Sequence, residues 1–271
     1  LETPFGKDII LSNRCLMGDF LAGIKKKYGK GSYSPVPSNS PYCPKAAAYA
    51  ESHPERLRDT ELMDMLAMEM GTAAHEVLQD AISEQYELFG DWECQTCGKQ
   101  WSRCMKPSHE HFTTKYKEPK FPLPGVGRNC KSDAILQLSK GVFTLLEFKF
   151  PGYMPKQANR KHYLQANLTA FVASQVTGIN IPDFAVMYFS RGDLKQETVY
   201  RYLVDKEVAE IQLELMQKNV SPEIGICRNP GDWYCPWSDL CFAEGRQGKW
   251  LQDNPEWATK LKKLEWEEQQ I

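Results

Sequence analysis

Three residues in the middle of the chain have the types and spacing of a metal-assisted hydrolytic site: Asp133, Glu147 and Lys149. Side chains alternate across a strand, so Glu147 and Lys149 point to the same face of the β-rich run 142–150. Their neighbours are apolar, and burying a charge without a partner is unfavourable. Two carboxylates around Mg²⁺ or Mn²⁺, with an ammonium alongside, meet that requirement and suit phosphodiester hydrolysis. The alternative is a structural Glu–Lys pair on a half-exposed sheet, which is the commoner meaning of a single E-x-K tripeptide.

Two further motifs flank this set. Upstream, Gly71-Thr72-Ala73-Ala74-His75-Glu76 lies in a stretch with helical periodicity, and downstream Gln165-Ala166-Asn167-Leu168 lies in another. Taken in order, the four motifs resemble those of the PD-(D/E)xK nuclease superfamily, in particular its RecB-like branch. The resemblance spans roughly residues 40–245, and four weak motifs in the family order make a specific signal.

The resemblance implies a role for each matched position. The metal ligands would be His75, Asp133, Glu147 and the carbonyl of Phe148. Lys149 would be the catalytic lysine, and Gln165 would position Lys149 or the DNA. One departure is that the place of the family tyrosine holds Thr169, with Tyr163 and Phe171 nearby but off register.

Nine cysteines stand out in an otherwise ordinary composition. An odd number cannot all pair within one chain, and no secretory signal is visible, which favours metal binding over disulfides. One distant cysteine followed by three near the carboxyl end resembles the iron–sulfur branch of the RecB-like nucleases, which includes CRISPR-associated exonucleases. The resemblance implies a [4Fe–4S] cluster on Cys43, Cys227, Cys235 and Cys241. Asp232 occupies the place of the usual middle cysteine, so Zn²⁺ and unligated thiols remain alternatives.

A second group of cysteines lies in a proline-containing segment that interrupts the helical pattern. Cys94-Gln95-Thr96-Cys97-Gly98 has the C-x2-C-G spacing of a zinc knuckle, in which glycine tolerates the tight turn. Cys104 and His109 complete the predicted ligand set, with His111 or Cys130 as alternatives. A segment with few apolar residues needs such a staple, so we expect a structural Zn²⁺ here.

The elements that must position these residues follow from periodicity and turn signals. The patterns predict a helix over 59–88, strands over 134–138 and 142–150, a helix over 156–178, strands over 184–189 and 198–204, and helices after Asp205 and Asn254. The mixed order predicts an α/β restriction-endonuclease-like core, a central mixed sheet flanked by helices. We divide the chain into an N-terminal segment with Cys43 (1–58), a first core helix region (59–89), a zinc-binding insert (90–130), a nuclease core (131–220), and a cysteine cluster with a final helix (221–271).

The composition excludes several classes of protein. The 271 residues are 42% hydrophobic and carry a net charge of −2, which excludes a wholly disordered chain and a uniformly basic nucleic-acid coat. No run is long and apolar enough for a membrane helix, so we expect no membrane partner. The absence of a visible signal peptide predicts a cytoplasmic protein, of a bacterial, archaeal or phage-infected cell.

The expected activity is metal-dependent cleavage of DNA. An exonuclease acting on single-stranded or end-containing DNA, in recombination, repair, CRISPR adaptation or phage DNA metabolism, is what the resemblance implies. Two other hypotheses stay open: a DNA-binding subunit with the nuclease fold and an idle site, and an interaction protein stabilised by zinc or an iron–sulfur cluster.

Overall fold

The computed structural model describes residue 49 and residues 52–56, 62–152, 154–191, 197–218 and 254–264. Within those ranges a 3₁₀ turn (Pro54–Arg56) precedes four α-helices and nine strands. In chain order these are α1 (Leu62–Gln85), β1 (Phe89–Cys94), β2 (Gln100–Met105), β3 (Thr114–Lys117), β4 (Lys120–Pro122), β5 (Asn129–Lys131), β6 (Ala134–Ser139), β7 (Val142–Lys149), α2 (Arg160–Thr177), β8 (Asn180–Phe189), β9 (Glu197–Leu203), α3 (Lys206–Lys218) and α4 (Trp257–Leu264).

A four-stranded mixed sheet lies at the centre, in the order β6-β7-β8-β9. Strands β6 and β7 form an antiparallel hairpin in which Ala134 lies opposite Leu146. Gly141 makes the tight turn of this hairpin at a φ of 78°, a conformation that glycine adopts without steric cost. Strand β8 pairs parallel with β7 and antiparallel with β9. The pairing therefore gives a mixed α/β fold, as the sequence predicts.

Helix α2 makes the crossover between the parallel strands β7 and β8 and packs on both. It begins where the side chain of Asn159 accepts a hydrogen bond from the backbone N–H of Lys161 (3.0 Å). It ends at Gly178, whose φ of 74° is the left-handed conformation of a helix cap. The predicted helix and its glycine stop are thus confirmed, although the helix begins at Arg160 and not at the predicted residue 156. The crossover places one face of α2 over the middle of the sheet.

Helices α3 and α4 form a second layer beside α2. The carboxylate of Asp205 accepts a hydrogen bond from the N–H of Val208 (3.0 Å), which confirms the predicted start of α3. Apolar side chains from the three helices bury one another: Leu164, Val208, Ile211, Leu215, Trp257 and Leu264. Burial of apolar surface thereby holds α2, which carries Gln165, between the central sheet and helices α3 and α4.

The segment predicted as an insert folds into a small antiparallel sheet with the order β2-β1-β3. Its base belongs to the core, because Trp92 and Tyr116 are buried against each other and pack with residues of β6 and β7. The prediction treated residues 90–130 as a separate module and did not include this shared core. We call residues 89–117 the three-stranded module.

One strand begins earlier than the sequence predicts. Strand β8 begins at Asn180, ahead of the predicted Phe184, because Ile181 is also buried against the core. No helix among the described residues is both long and apolar enough to cross a membrane.

Candidate metal centre

Helix α1 and the β6–β7 hairpin bring together two of the residues predicted to bind metal. His75 Nδ1 lies 3.2 Å from Asp133 Oδ1. The other carboxylate oxygen, Oδ2, accepts a hydrogen bond from the backbone N–H of Phe148 (2.6 Å), so β7 holds the Asp133 side chain in place. The Phe148 ring packs edge-on against the His75 ring, with 5.8 Å between ring centroids. The carbonyl of Phe148 stays a predicted ligand.

Glu147 is the most deeply buried charged group of the centre, with 1% of its surface exposed. Its Oε1 accepts hydrogen bonds from Lys149 Nζ (2.5 Å) and Gln165 Nε2 (2.7 Å). Its Oε2 is buried and has no hydrogen-bond partner among the described residues. Burial, followed by the charge of Asp133, raises the pKa of Glu147 to about 7. A buried oxygen without a donor costs free energy unless another group, such as a cation, satisfies it.

Lys149 and Gln165 complete a hydrogen-bonded triangle with Glu147. The Lys149 ammonium donates to Gln165 Oε1 (3.2 Å) while the Gln165 amide donates to Glu147. The triangle holds the ammonium of Lys149, whose side chain is 21% exposed, at the edge of the buried carboxylate. Thr169, in the place of the family tyrosine, is fully buried in the core.

Sequence reasoning missed one acidic residue at this centre, Glu118. It follows β3 directly, and its Oε1 lies 3.7 Å from His75 Nδ1. Gln79 of α1 donates to Glu118 Oε1 (3.3 Å) and to the Asp133 carbonyl (2.8 Å), which ties these chain segments together. One ligand atom each of His75, Glu118 and Asp133 lies within 4.8 Å of the others. No periodicity or motif marks Glu118, because it stands between two short strands in an irregular stretch.

The electrostatics of the group match a cation-binding site. Although burial opposes protonation of His75, hydrogen bonds and charges of Asp133 and Glu118 raise its pKa to about 10. Burial also works against ionisation of Glu118, but His75 and Lys131 lower its pKa below the ordinary value. The two carboxylates thus favour a positive charge at His75, and a bound cation would supply one at the same place. One imidazole and several carboxylate oxygens are a donor set that suits Mn²⁺ or Mg²⁺, so the residues present fit such an ion.

A second group of metal-ligating side chains lies at the tip of the three-stranded module. Cys94, Cys97, His109 and His111 each offer a ligand atom within 4.8 Å of the others, and this arrangement could hold a metal ion. Although burial raises it, backbone hydrogen bonds from Cys97 and Thr96 lower the pKa of the Cys94 thiol to about 5, which favours the thiolate that binds metals.

The structure does not bring every predicted zinc ligand into this group. Cys104, on β2, lies opposite Gly90 and outside the group. Cys130, on β5, is buried and donates from its Sγ to the Phe121 carbonyl (3.6 Å). His111, one of the predicted alternatives, takes the fourth place in the group instead. The four cysteines assigned to an iron–sulfur cluster, Cys43, Cys227, Cys235 and Cys241, lie outside the described residues.

Comparison with known proteins assigns no family to the chain. No family model matches it, and no curated protein does. Among solved structures, the chain is similar to the one titled "Crystal structure of SSO0001", with a TM-score of 0.43 and 12% sequence identity. The similarity covers 83% of this chain and 96% of that one. A likeness this distant carries no conclusion about activity.

Proposed function

We propose that the protein is a metal-dependent DNA nuclease with a RecB-like PD-(D/E)xK core, acting as an exonuclease on single-stranded or end-containing DNA. The observation that carries the proposal is the buried Glu147, which has one oxygen held by Lys149 and Gln165 and the other without a donor among the described residues. A structural Glu–Lys pair would leave no reason to bury a second, unsatisfied carboxylate oxygen beside Asp133. The preference for DNA ends rests on the motif resemblance.

In this proposal His75, Asp133 and Glu118 would hold a divalent ion, with Glu147 and the Phe148 carbonyl as further predicted ligands. When bound, Mg²⁺ or Mn²⁺ would activate water and neutralise charge that develops on the phosphate. The ion would compete for His75 with a proton, whose binding the hydrogen bonds and charges of Asp133 and Glu118 favour.

Lys149 and Gln165 place a positive charge at the site. Lys149 keeps its ammonium beside Glu147 because both the carboxylate and the Gln165 amide oxygen accept its hydrogen bonds. A fixed positive charge there stabilises a phosphate in the transition state better than a mobile one, since no reorganisation is needed during the reaction. Gln165 is a positioning residue, because it contacts both partners of the pair.

DNA is the proposed partner, and the start of α2 supplies basic residues for it. Arg160 and Lys161 lie in the first turn of the helix that also carries Gln165. Phosphates approaching Lys149 would meet this positive region, which supports binding without requiring a basic protein overall.

We also propose that Cys43, Cys227, Cys235 and Cys241 bind a [4Fe–4S] cluster, which the resemblance supports. An anaerobic preparation should then absorb broadly near ~400 nm.

The activity is tested by comparing Lys149→Ala with Lys140→Ala, using end-labelled DNA and Mn²⁺. Lys140 is an exposed lysine in the turn between β6 and β7, so its removal controls for the loss of one positive charge. We expect Lys149→Ala to lower cleavage about 10²–10³-fold, the usual cost of removing one preorganised transition-state contact. Metal-dependent cleavage at the wild-type rate in Lys149→Ala would refute the mechanism. DNA binding without cleavage by the wild-type chain would favour the idle-subunit hypothesis, and absence of both would favour the interaction protein.

A further inference from the structure

We propose that Cys94, Cys97, His109 and His111 bind one structural Zn²⁺, which clamps the β1–β2 turn to the segment that leads into β3. This ligand set replaces Cys104 of the sequence prediction with a second histidine. The assignment does not rest on the nuclease activity proposed above, because none of the four residues belongs to the group of His75, Glu118 and Asp133.

The distances between the ligand atoms carry the assignment. Cys94 Sγ lies 3.6 Å from His111 Nδ1, and Cys97 Sγ lies 3.3 Å from His109 Nε2. Zn–S bonds of ~2.3 Å and Zn–N bonds of ~2.0 Å at tetrahedral angles place sulfur and nitrogen ligands about 3.5 Å apart. Both pairs match this separation, and all four atoms lie within 4.8 Å of one another. A Cys₂His₂ set with no open position is typical of structural zinc.

The local backbone has the form of a knuckle around the two cysteines. Cys94 ends β1, its N–H donates to the Lys99 carbonyl (2.8 Å), and its carbonyl accepts from the Gly98 N–H (2.9 Å). Gly98 has a φ of 70°, so the turn depends on a residue that tolerates the left-handed conformation. The turn therefore directs both sulfurs toward the histidines of the β2–β3 connection.

The tip of the module buries little apolar surface. Residues 95–115 include no buried side chain, whereas Cys94 and Tyr116 on either side of this stretch are buried. A segment that buries so little apolar surface does not offset the entropy lost on ordering it. A bound metal supplies the missing free energy, as in small zinc modules that fold only with their ion.

The clamp also fixes the register of β3. Thr114 pairs with Cys94, and Lys117 pairs with Asp91 at the other end of the strand. Strand β3 leads directly to Glu118, so the zinc ion holds the chain segment that places Glu118 beside His75.

The test measures zinc per protein chain after expression with zinc, in the full chain and in three variants. Cys97→Ser and His111→Asn should each lose one zinc equivalent relative to the wild type. Cys104→Ser, the matched control from the same module, should keep the wild-type content. Comparing variants isolates this site because cysteines elsewhere in the chain contribute equally to all samples.

A second measurement avoids variants that fail to fold. Chelation of zinc from the wild-type chain should raise amide hydrogen exchange across 94–117 and leave exchange in β7 and β8 unchanged. Co²⁺ bound in place of Zn²⁺ should give the absorption bands of a tetrahedral site with two thiolates, and Cys97→Ser should abolish them. Zinc content that falls in Cys104→Ser but not in His111→Asn would overturn the ligand set. Unchanged exchange across 94–117 after complete removal of zinc would overturn the clamp.

Discussion

Replacing Glu147 with Gln should stabilise the metal-free protein and abolish the stabilisation that Mn²⁺ gives it. The wild-type carboxylate is buried with one oxygen unpartnered among the described residues, which disfavours the ionised form. Gln has nearly the same shape, keeps an oxygen for the Lys149 ammonium and carries no charge. The same substitution removes a carboxylate from the proposed metal site, so stability and metal response should change in opposite directions.

The pKa of Glu147 sets the magnitude. Burial, followed by Asp133, raises this pKa from 4.5 to about 7. An acidic group whose pKa rises on folding does not reduce stability when the pH is below its pKa in the unfolded chain. The loss of stability grows as the pH rises and is complete above the pKa in the folded protein. The full cost is about 3 kcal/mol above pH 7, and this figure already includes the attraction of Lys149, which lowers the pKa. We therefore expect Glu147→Gln to raise the free energy of unfolding by about 1–3 kcal/mol at pH 8. Each kcal/mol corresponds to roughly 2–3 °C in melting temperature.

Thermal unfolding at pH 8 and pH 5, with and without Mn²⁺, checks this reasoning. Glu210→Gln is the matched control, because Glu210 is an exposed glutamate on α3. The gain of Glu147→Gln should be largest at pH 8 without added Mn²⁺ and should shrink at pH 5. A variant that is less stable than the wild type at pH 8 without Mn²⁺, or one that gains as much from Mn²⁺ as the wild type does, would refute it.

Three further predictions test other parts of the molecule. Glu118→Gln removes a ligand atom beside His75 and should weaken Mn²⁺ binding on the order of 10-fold or more, measured by titration calorimetry; unchanged affinity would remove Glu118 from the site. Burial and two neighbouring lysines lower the pKa of His162 to about 3, so the free energy of unfolding falls as the pH drops below 6.5. In His162→Asn the decrease in this free energy between pH 7.5 and 5.5 should be smaller by about 1 kcal/mol than in the wild type, as measured by urea unfolding. Gly90→Ala would place a Cβ 2.3 Å from the buried Tyr116 ring and should cost about 1–3 kcal/mol in the same assay, and a neutral effect would show that the ring can shift.

The parts of the fold that the sequence predicts are those with local signals. Alternation of apolar residues and the glycine at position 141 predict the β6–β7 hairpin, and the hairpin alone brings Asp133 near Glu147. Spacing along one strand likewise predicts that Glu147 and Lys149 share a face, which their hydrogen bond confirms. The approach of Gln165 follows from the motif order, since a helix between two parallel strands must cross over the sheet.

The remaining features depend on the path of irregular segments. Glu118 reaches His75 because β3 is tied to both β1 and α1, and no periodicity encodes that juxtaposition. The sequence also does not decide whether Cys104 or His111 joins the group around Cys97, because both are near enough to Cys97 in sequence. Only the pairing of β2 with β1, which places Cys104 opposite Gly90, removes the cysteine from the ligand group.

The adjacency of Cys94 and Thr114 has a consequence for protein engineering. These residues are cross-strand partners, so the stretch between them, which includes β2, begins and ends at neighbouring positions. A segment whose ends already meet can be exchanged for a short turn or for a foreign domain at little entropic cost. Residues 95–113 therefore mark an insertion point at which a reporter or a different recognition element can be grafted. The graft must close the strand pair as firmly as the zinc ion, and Glu118 then keeps its place.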